Sequence, residues 1–421
     1  MEFDPLPAQC LVDQALAIRI RGAPADEPVT LKLCSRFNDL VLLSTASFLA
    51  DADGVVDVTT QAPFSGSYQG IDAMGLFWSR APVTDDATFA APSSDPLTAT
   101  LTAESSSGEM LISHSIRRVY VAAGVTSRAV NESGLIGTMF EPAVAGPRPA
   151  VLVVGGSGGG TAWSLQMAAL LASHGYAALA LAYFAAEGLP PTLDRIPLEY
   201  FGTALEWLAE QPTVNAERIV VSGVSRGGEL ALLLGATFPA IRAVIAYVPS
   251  GILWDAYPTS GHAAWTLDGK ELPHAQTLTY AEWDTALAEG TARPGTFDWY
   301  LIPLRDEDYA AKMSIPVEKI NGPVLMISGV DDALWPSTEL TEFAAQRFKQ
   351  SSFPHDVQHL RYRSAGHSIA WPNGPTTMLK SKHPVSGEDM DMGGTPEGTA
   401  RASQDSWPRM LAFLRDATAS D

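Results

Sequence analysis

The sequence predicts an α/β fold: a mostly parallel sheet covered by helices, preceded by an immunoglobulin-like β-sandwich. Two patterns lead there. Beyond about residue 116, short apolar runs alternate with helical segments, as expected of a parallel sheet built from strand–helix–strand units. Before that point, apolar and polar residues alternate in short runs broken by turn residues, which is the pattern of an antiparallel sandwich.

In the first region, residues 17–20, 29–33 and 54–58 read as strands, and a long stretch rich in Ser, Thr and Gly follows. It holds no catalytic constellation and no metal-ligand set. In the second region, strands are expected at 150–154, 177–181, 218–223, 243–247, 323–328 and 360–362, with helices at 164–174, 198–209 and 226–236. Segment 250–321 carries Trp254, Trp265, Trp283 and Trp299; it is too long for a plain loop and too aromatic for a linker. Insertions of this kind cover active sites. Its tryptophans read either as walls of an apolar acyl pocket or as packing residues. Residues 103–108 and 384–398 read as surface connections. A chain of 421 residues exceeds what one hydrophobic core usually serves, about 250–300 residues. The expected division is a sandwich domain at 1–115 and a catalytic domain at 116–421.

Apolar residues make up 46 % and charged residues 18 %, the balance of a chain that buries a large core. A formal charge of −20 disfavours nucleic acid and anionic membrane surfaces as partners. Only Cys10 and Cys34 are present, which fits a reducing compartment. No signal peptide or peroxisomal address is read at either end, and the longest apolar stretch, about 230–254, is broken by Pro239, Arg242 and Pro249. A cytoplasmic location is therefore expected.

The chemistry is concentrated in three places. Gly223-Val224-Ser225-Arg226-Gly227 lies between an expected strand and an expected helix, the context of the G-x-S-x-G nucleophile elbow. Glycines on either side permit a tight turn that exposes the Ser225 hydroxyl. A serine needs a base to take its proton, and the base needs an orienting carboxylate. Both follow in the chain order of an α/β-hydrolase. The strand at 323–328 runs into Asp331-Asp332, and the strand at 360–362 ends in Ser364-Ala365-Gly366-His367. Of eight histidines, His367 alone sits in a glycine-preceded loop after a late strand. The others are assigned to solvent or to local hydrogen bonds. Asp331 and Asp332 compete for the orienting role; the turn position favours Asp332, and Asp331 suits a helix cap. Gly155-Gly156-Ser157-Gly158-Gly159-Gly160 ends the first hydrolase strand and could bring backbone amides to an oxyanion. A phosphate-cradling role is disfavoured, because neither Lys-Ser nor Lys-Thr follows. The expected oxyanion donors are the amide of Arg226 and one near Ser157 or Gly158. The Arg226 side chain reads equally as a solvated arginine or a substrate contact. No metal or cofactor is called for.

With those residues in place, the chain resembles the acyl-CoA thioesterase and bile acid-CoA:amino acid N-acyltransferase family along most of its length. The likeness is carried by Pro28-Val29-Thr30-Leu31, Gly75-Leu76-Phe77-Trp78, Ala180-Leu181-Ala182-Tyr183-Phe184, Gly188-Leu189-Pro190 and Leu198-Glu199-Tyr200-Phe201. It continues through Gly223 to Leu230, Asp331-Asp332 with Trp335, Gly366-His367, Gly393-Gly394-Thr395-Pro396, and the helix with Trp407 and Phe413. The resemblance implies thioester hydrolysis. Ser225 attacks the carbonyl, His367 protonates the leaving thiol, and water then attacks the acyl-serine with His367 as base. The family's amino acid transferases carry cysteine at the nucleophile; serine here points to water as acceptor. The chain departs from the family in lacking a peroxisomal C-terminus and any visible phosphate site for CoA. The expected partner is an acyl thioester, CoA- or carrier-linked. Two competing readings are an acyltransferase that uses the same triad, and a catalytically silent binding protein on a hydrolase fold.

Overall fold

Strands that are apolar on both faces must be covered on both faces, and the central sheet meets that need. The computed structural model describes residues 1–37, 40–84, 95–144, 146–293 and 297–419, so Ser420 and Asp421 of the C-terminal stretch lie outside the described residues. Eight strands form the central sheet: β1 (Thr126–Glu132), β2 (Leu135–Glu141), β3 (Arg148–Val154), β4 (Ala177–Ala182), β5 (Val214–Val224), β6 (Ile241–Tyr247), β7 (Val324–Gly329) and β8 (Val357–Tyr362). Their order is β1-β2-β4-β3-β5-β6-β7-β8. The pairs β1–β2 and β2–β4 are antiparallel, and the rest are parallel. Five helices cover it: α1 (Ala162–Ser173), α2 (Leu198–Ala209), α3 (Arg226–Thr237), α4 (Ser337–Gln350) and α5 (Pro396–Ala417). Along β3, Val151 and Val153 pack with α1 and α5, whereas Ala150, Leu152 and Val154 pack with α2, α3 and α4. This is the α/β-hydrolase architecture.

The parallel strands stand where the sequence places them, several extended by a few residues. The β1–β2 hairpin is an addition. Ser133 and Gly134 both take positive φ, 54° and 76°, and join the strands by a two-residue turn. That turn matches the twist of the strands it links.

Ahead of this sheet lie a seven-stranded sheet and a three-stranded sheet. The first is built around the long strands Pro28–Phe37, Leu40–Leu49, Leu97–Glu104 and Met110–Val119; the second joins Glu2–Phe3, Arg19–Arg21 and Val56–Asp57. Alternating burial along Leu40–Leu49 turns one face inward. Leu31, Leu33, Ala46, Phe48, Leu101 and Ile116 of the larger sheet share one core with Ile20 and Val56 of the smaller, which makes the pair a sandwich. Met110–Val119 runs unbroken through residue 115, and the sheet ends at Val119, a few residues beyond the boundary expected from the sequence.

The sandwich also braces the loop that follows β8. Thr376 N donates to Trp78 O at 3.0 Å and Thr377 Oγ1 to Arg80 O at 2.6 Å. From there Met392 N donates to Leu379 O, and His367 N to Met392 O, both at 2.7 Å.

A second histidine ties β8 to β7. His359 Nε2 lies 2.8 Å from Ser328 Oγ, and burial, with Arg361 and Lys349 nearby, pushes its pKa from 6.5 down to about 4. The unfolded chain therefore takes up a proton near pH 6.5 that the folded chain refuses until about pH 4. Stability should fall as pH drops through that window. Between pH 7 and pH 5 the loss should be at most about 2 kcal/mol, taking ~1.4 kcal/mol per pH unit. Denaturant unfolding of His359→Gln at the two pH values should show a smaller drop than the parent; equal drops would contradict the assignment.

Candidate active site

Ser225 stands between β5 and α3 with φ 58° and ψ −123°, a conformation that non-glycine residues adopt only when their surroundings impose it. Here the packing does so. A Cβ on Gly223 would collide with the carbonyl oxygen of Gly227, and one on Gly227 with that of Gly155. The chain can turn this tightly only with glycine at both positions. Ser225 N donates to Tyr247 O at 2.9 Å, and Ser225 O accepts from the amides of Gly228 and Glu229. The hydroxyl thus sits at the mouth of α3, beside first-turn amides that have no acceptor within the helix.

His367 and Asp332 meet after β8 and β7. His367 Nδ1 lies 2.8 Å from Asp332 Oδ2, and the two residues are 8 % and 1 % exposed. Asp332 Oδ1 accepts from the amides of Leu334 and Trp335, so the carboxylate is held from both sides. Asp331 turns away, and its Oδ2 accepts from Ser364 N at 2.8 Å. Trp335 links this pair to the elbow: its ring meets His367 edge-on at 6.2 Å, and its Nε1 donates to Val248 O, next to the Tyr247 carbonyl that Ser225 uses. Among the described residues no hydrogen bond joins Ser225 Oγ to His367 Nε2.

The glycine run lies against the elbow. A Cβ on Gly156 would stand 3.0 Å from Val224 O and 3.1 Å from Ser225 Cβ. Tyr183 Oη donates to Gly155 O, and Gly160 N to Phe184 O. Gly156 is thereby held against Ser225, with Ser157 next to it in the chain.

The Arg226 side chain is not the solvated arginine that one sequence reading allowed. It is buried, its Nη2 donates to the carbonyls of Trp254 and Asp255, and its Nε lies 3.2 Å from Glu229 Oε2. The guanidinium therefore pins the elbow to the insertion. Glu229 is wholly buried; burial pushes its carboxyl up to about 7, against the pull of Arg226 and the Trp265 indole. Asp255 is raised by burial in the same way.

The four insertion tryptophans divide. Trp265 is 1 % exposed, packs with Tyr183 and Phe201, and donates Nε1–H to Glu229 Oε1 at 2.7 Å. Trp254 is buried and begins a chain of ring contacts through Tyr300 and Trp335 to His367. Trp283 and Trp299 are half-buried and pack on each other at 5.6 Å, away from these contacts. Trp265→Phe keeps the ring but leaves a buried carboxyl without its donor, which costs about 1–3 kcal/mol. Its melting temperature should fall by several degrees while the ratio of kcat/KM for short and long acyl donors stays constant; a changed ratio would place Trp265 in the acyl site.

One constellation member carried no sequence signal. His383 is buried and its Nε2 lies 3.0 Å from Ser157 Oγ. The two are 226 positions apart, so no local pattern could pair them.

The strand order, the elbow and the loops after β7 and β8 define an α/β-hydrolase. Residues 196–420 match the family described as BAAT / Acyl-CoA thioester hydrolase C terminal, and residues 13–132 match the Acyl-CoA thioester hydrolase/BAAT N-terminal region. The chain therefore belongs to the acyl-CoA thioester hydrolase/BAAT family. It is similar to acyl-coenzyme A thioesterase 6 of Mus musculus, at 30 % identity over 99 % of this chain and 96 % of that one. It is also similar to the peroxisomal succinyl-coenzyme A thioesterase of Mus musculus, at 28 % identity over 98 % and 96 %. Among solved structures, a dienelactone hydrolase-like promiscuous phosphotriesterase from metagenomic libraries aligns with TM-score 0.43 and 20 % identity, over 70 % of this chain and 100 % of that one.

Proposed function

We propose that this chain hydrolyses acyl thioesters, with an acyl-coenzyme A as donor, through an acyl-serine intermediate on Ser225. The observation that carries this reading is the buried His367–Asp332 hydrogen bond on the sheet edge that also presents Ser225 in its elbow conformation. His367 Nε2 takes the proton of Ser225 as Oγ attacks the thioester carbon. The tetrahedral oxygen is held by the amides of Arg226 and of Ser157 or Gly158. Collapse breaks the C–S bond, and His367 returns its proton to the leaving thiolate. Water, deprotonated by His367, then attacks the acyl-serine, and Ser225 leaves with that proton. Asp332 holds the imidazole in the tautomer these steps need.

The named activities of the relatives support coenzyme A as the carrier, and serine rather than cysteine at 225 favours water as acceptor. Cys10 and Cys34 are both free, which supports a reducing setting. The two-domain division, sandwich then hydrolase, belongs to the same reading, with the hydrolase carrying all the reacting groups. A thiol-release assay over acyl-CoA chain lengths, with products identified by mass spectrometry, tests it. Free acid and coenzyme A should appear one for one, undiverted by added amines. Turnover of simple esters with no thiol released from any acyl-CoA would overturn the reading.

A further inference from the structure

In the run Gly155 to Gly160, five of six residues have no side chain by which the protein could hold them. The ends are tethered, Gly155 O to Tyr183 and Gly160 N to Phe184 O, and Gly159 N donates to Gly156 O within the run, but the one side chain by which the middle can be held is the Ser157 hydroxyl. That handle is occupied by His383 Nε2 at 3.0 Å.

The proton on His383 can be placed from its surroundings. Nδ1 accepts from the amides of Val385 and Ser386, both at 3.2 Å, so it carries no hydrogen and Nε2 does. Burial, opposed by the Glu388 charge, lowers the His383 pKa from 6.5 and keeps the ring neutral. In this tautomer Nε2–H donates to Ser157, and the pair cannot work as a second serine–base dyad, because a base would have to accept there. The ring is wedged against Tyr257 at 4.6 Å, and Tyr257 Oη donates to Glu388 Oε2 at 2.7 Å. Pro384 presses on the next loop residue, where a Cβ on Gly158 would lie 3.1 Å from Pro384 Cγ.

We propose that His383 is a positioning residue for the oxyanion loop: by fixing Ser157 from its side chain, it sets where the Ser157 and Gly158 amides point beside Ser225. This rests on the acyl-serine reading, since an oxyanion forms there only if Ser225 attacks a carbonyl. His383, read from the sequence as solvent-facing or locally bonded, and segment 384–388, read as part of a surface connection, are then the outer wall of the active site. Misaimed amides weaken binding of the transition state more than that of the ground state, so the effect belongs in kcat.

The test uses the full chain with one acyl-CoA and four variants: Ser157→Ala, His383→Ala, His383→Gln and the double Ser157→Ala/His383→Ala. Each is read by kcat, KM, melting temperature and inhibition by a trifluoromethyl ketone analogue of the acyl chain, which forms an oxyanion on the serine. Both Ala singles should lose about 10- to 100-fold in kcat, less than the 10²–10³ typical of deleting an oxyanion donor outright. KM should stay within about threefold, and ketone affinity should fall in step with kcat/KM. The double variant should be no worse than the poorer single within about threefold, because the two side chains act through one bond. Gln presents an N–H near the position of Nε2, so His383→Gln should recover most of the loss. Ser157→Ala leaves His383 and its packing in place, and so gives an answer even if His383→Ala fails to fold. Singles within twofold of the parent kcat, losses that multiply in the double, or losses confined to KM would each overturn the proposal. The acyl-serine reading fails separately, if a fluorophosphonate does not label Ser225 in the parent chain.

Discussion

Replacing Ser225 or His367 by Ala should each lower kcat by about 10⁵- to 10⁶-fold, and replacing both should cost little more than either alone. The physical reason is that neither group works without the other. Ser225 at its ordinary acidity is a poor nucleophile, and His367 without Ser225 has no proton to take. What survives is the contribution of substrate binding and the oxyanion amides, which both variants retain. Ser225→Ala removes one oxygen from a position whose backbone strain is imposed by Gly223 and Gly227, so the fold should tolerate it. Steady-state thiol release with melting temperatures as a control checks this. Losses that multiply in the double variant would show that the two residues serve different steps.

The carboxylate gives the second large effect. Asp332→Asn should lower kcat by about 10⁴-fold with the fold intact, because an amide N–H in place of Oδ2 turns His367 to the wrong tautomer and removes the charge that stabilises imidazolium. The amides of Leu334 and Trp335 can still donate to an Asn oxygen, so the turn should hold. Asp331→Asn separates this from a general charge effect. Its carboxylate accepts from Ser364 N and does not reach the imidazole, so it should cost less than about tenfold, through the loop alone. If the two variants are equally impaired, Asp332 has no special role.

Parts of this site can be read along the chain because local sterics write them there. The elbow needs glycine at 223 and 227, since any side chain would collide with backbone, and that need survives as a motif. The Asp332 position follows from turn geometry after a buried strand. Arg226 was legible as a residue but not as a contact: its carbonyl acceptors lie in an insertion whose path no periodicity reveals. His383 is the extreme case, a polar residue in an unpatterned segment, meaningful only through tertiary placement. The tryptophans leave two readings open along the chain. Aromatic density signals burial but not which surface is covered, and Trp265 spends its indole N–H on the buried Glu229. The β1–β2 hairpin escapes notice because Arg128, Glu132 and Glu141 dilute its apolar alternation, leaving Ser133-Gly134 as the surviving signal.

The central claim is that Ser225 is activated by His367 for attack on an acyl carbon. A fluorophosphonate probe reacts with activated serine in this way, and peptide mapping by mass spectrometry locates its label. The account predicts one label per chain, on Ser225, with thioester hydrolysis falling in proportion to labelling and no labelling in His367→Ala over the same interval. Labelling elsewhere, no labelling of the parent, or full labelling with turnover unchanged would contradict it.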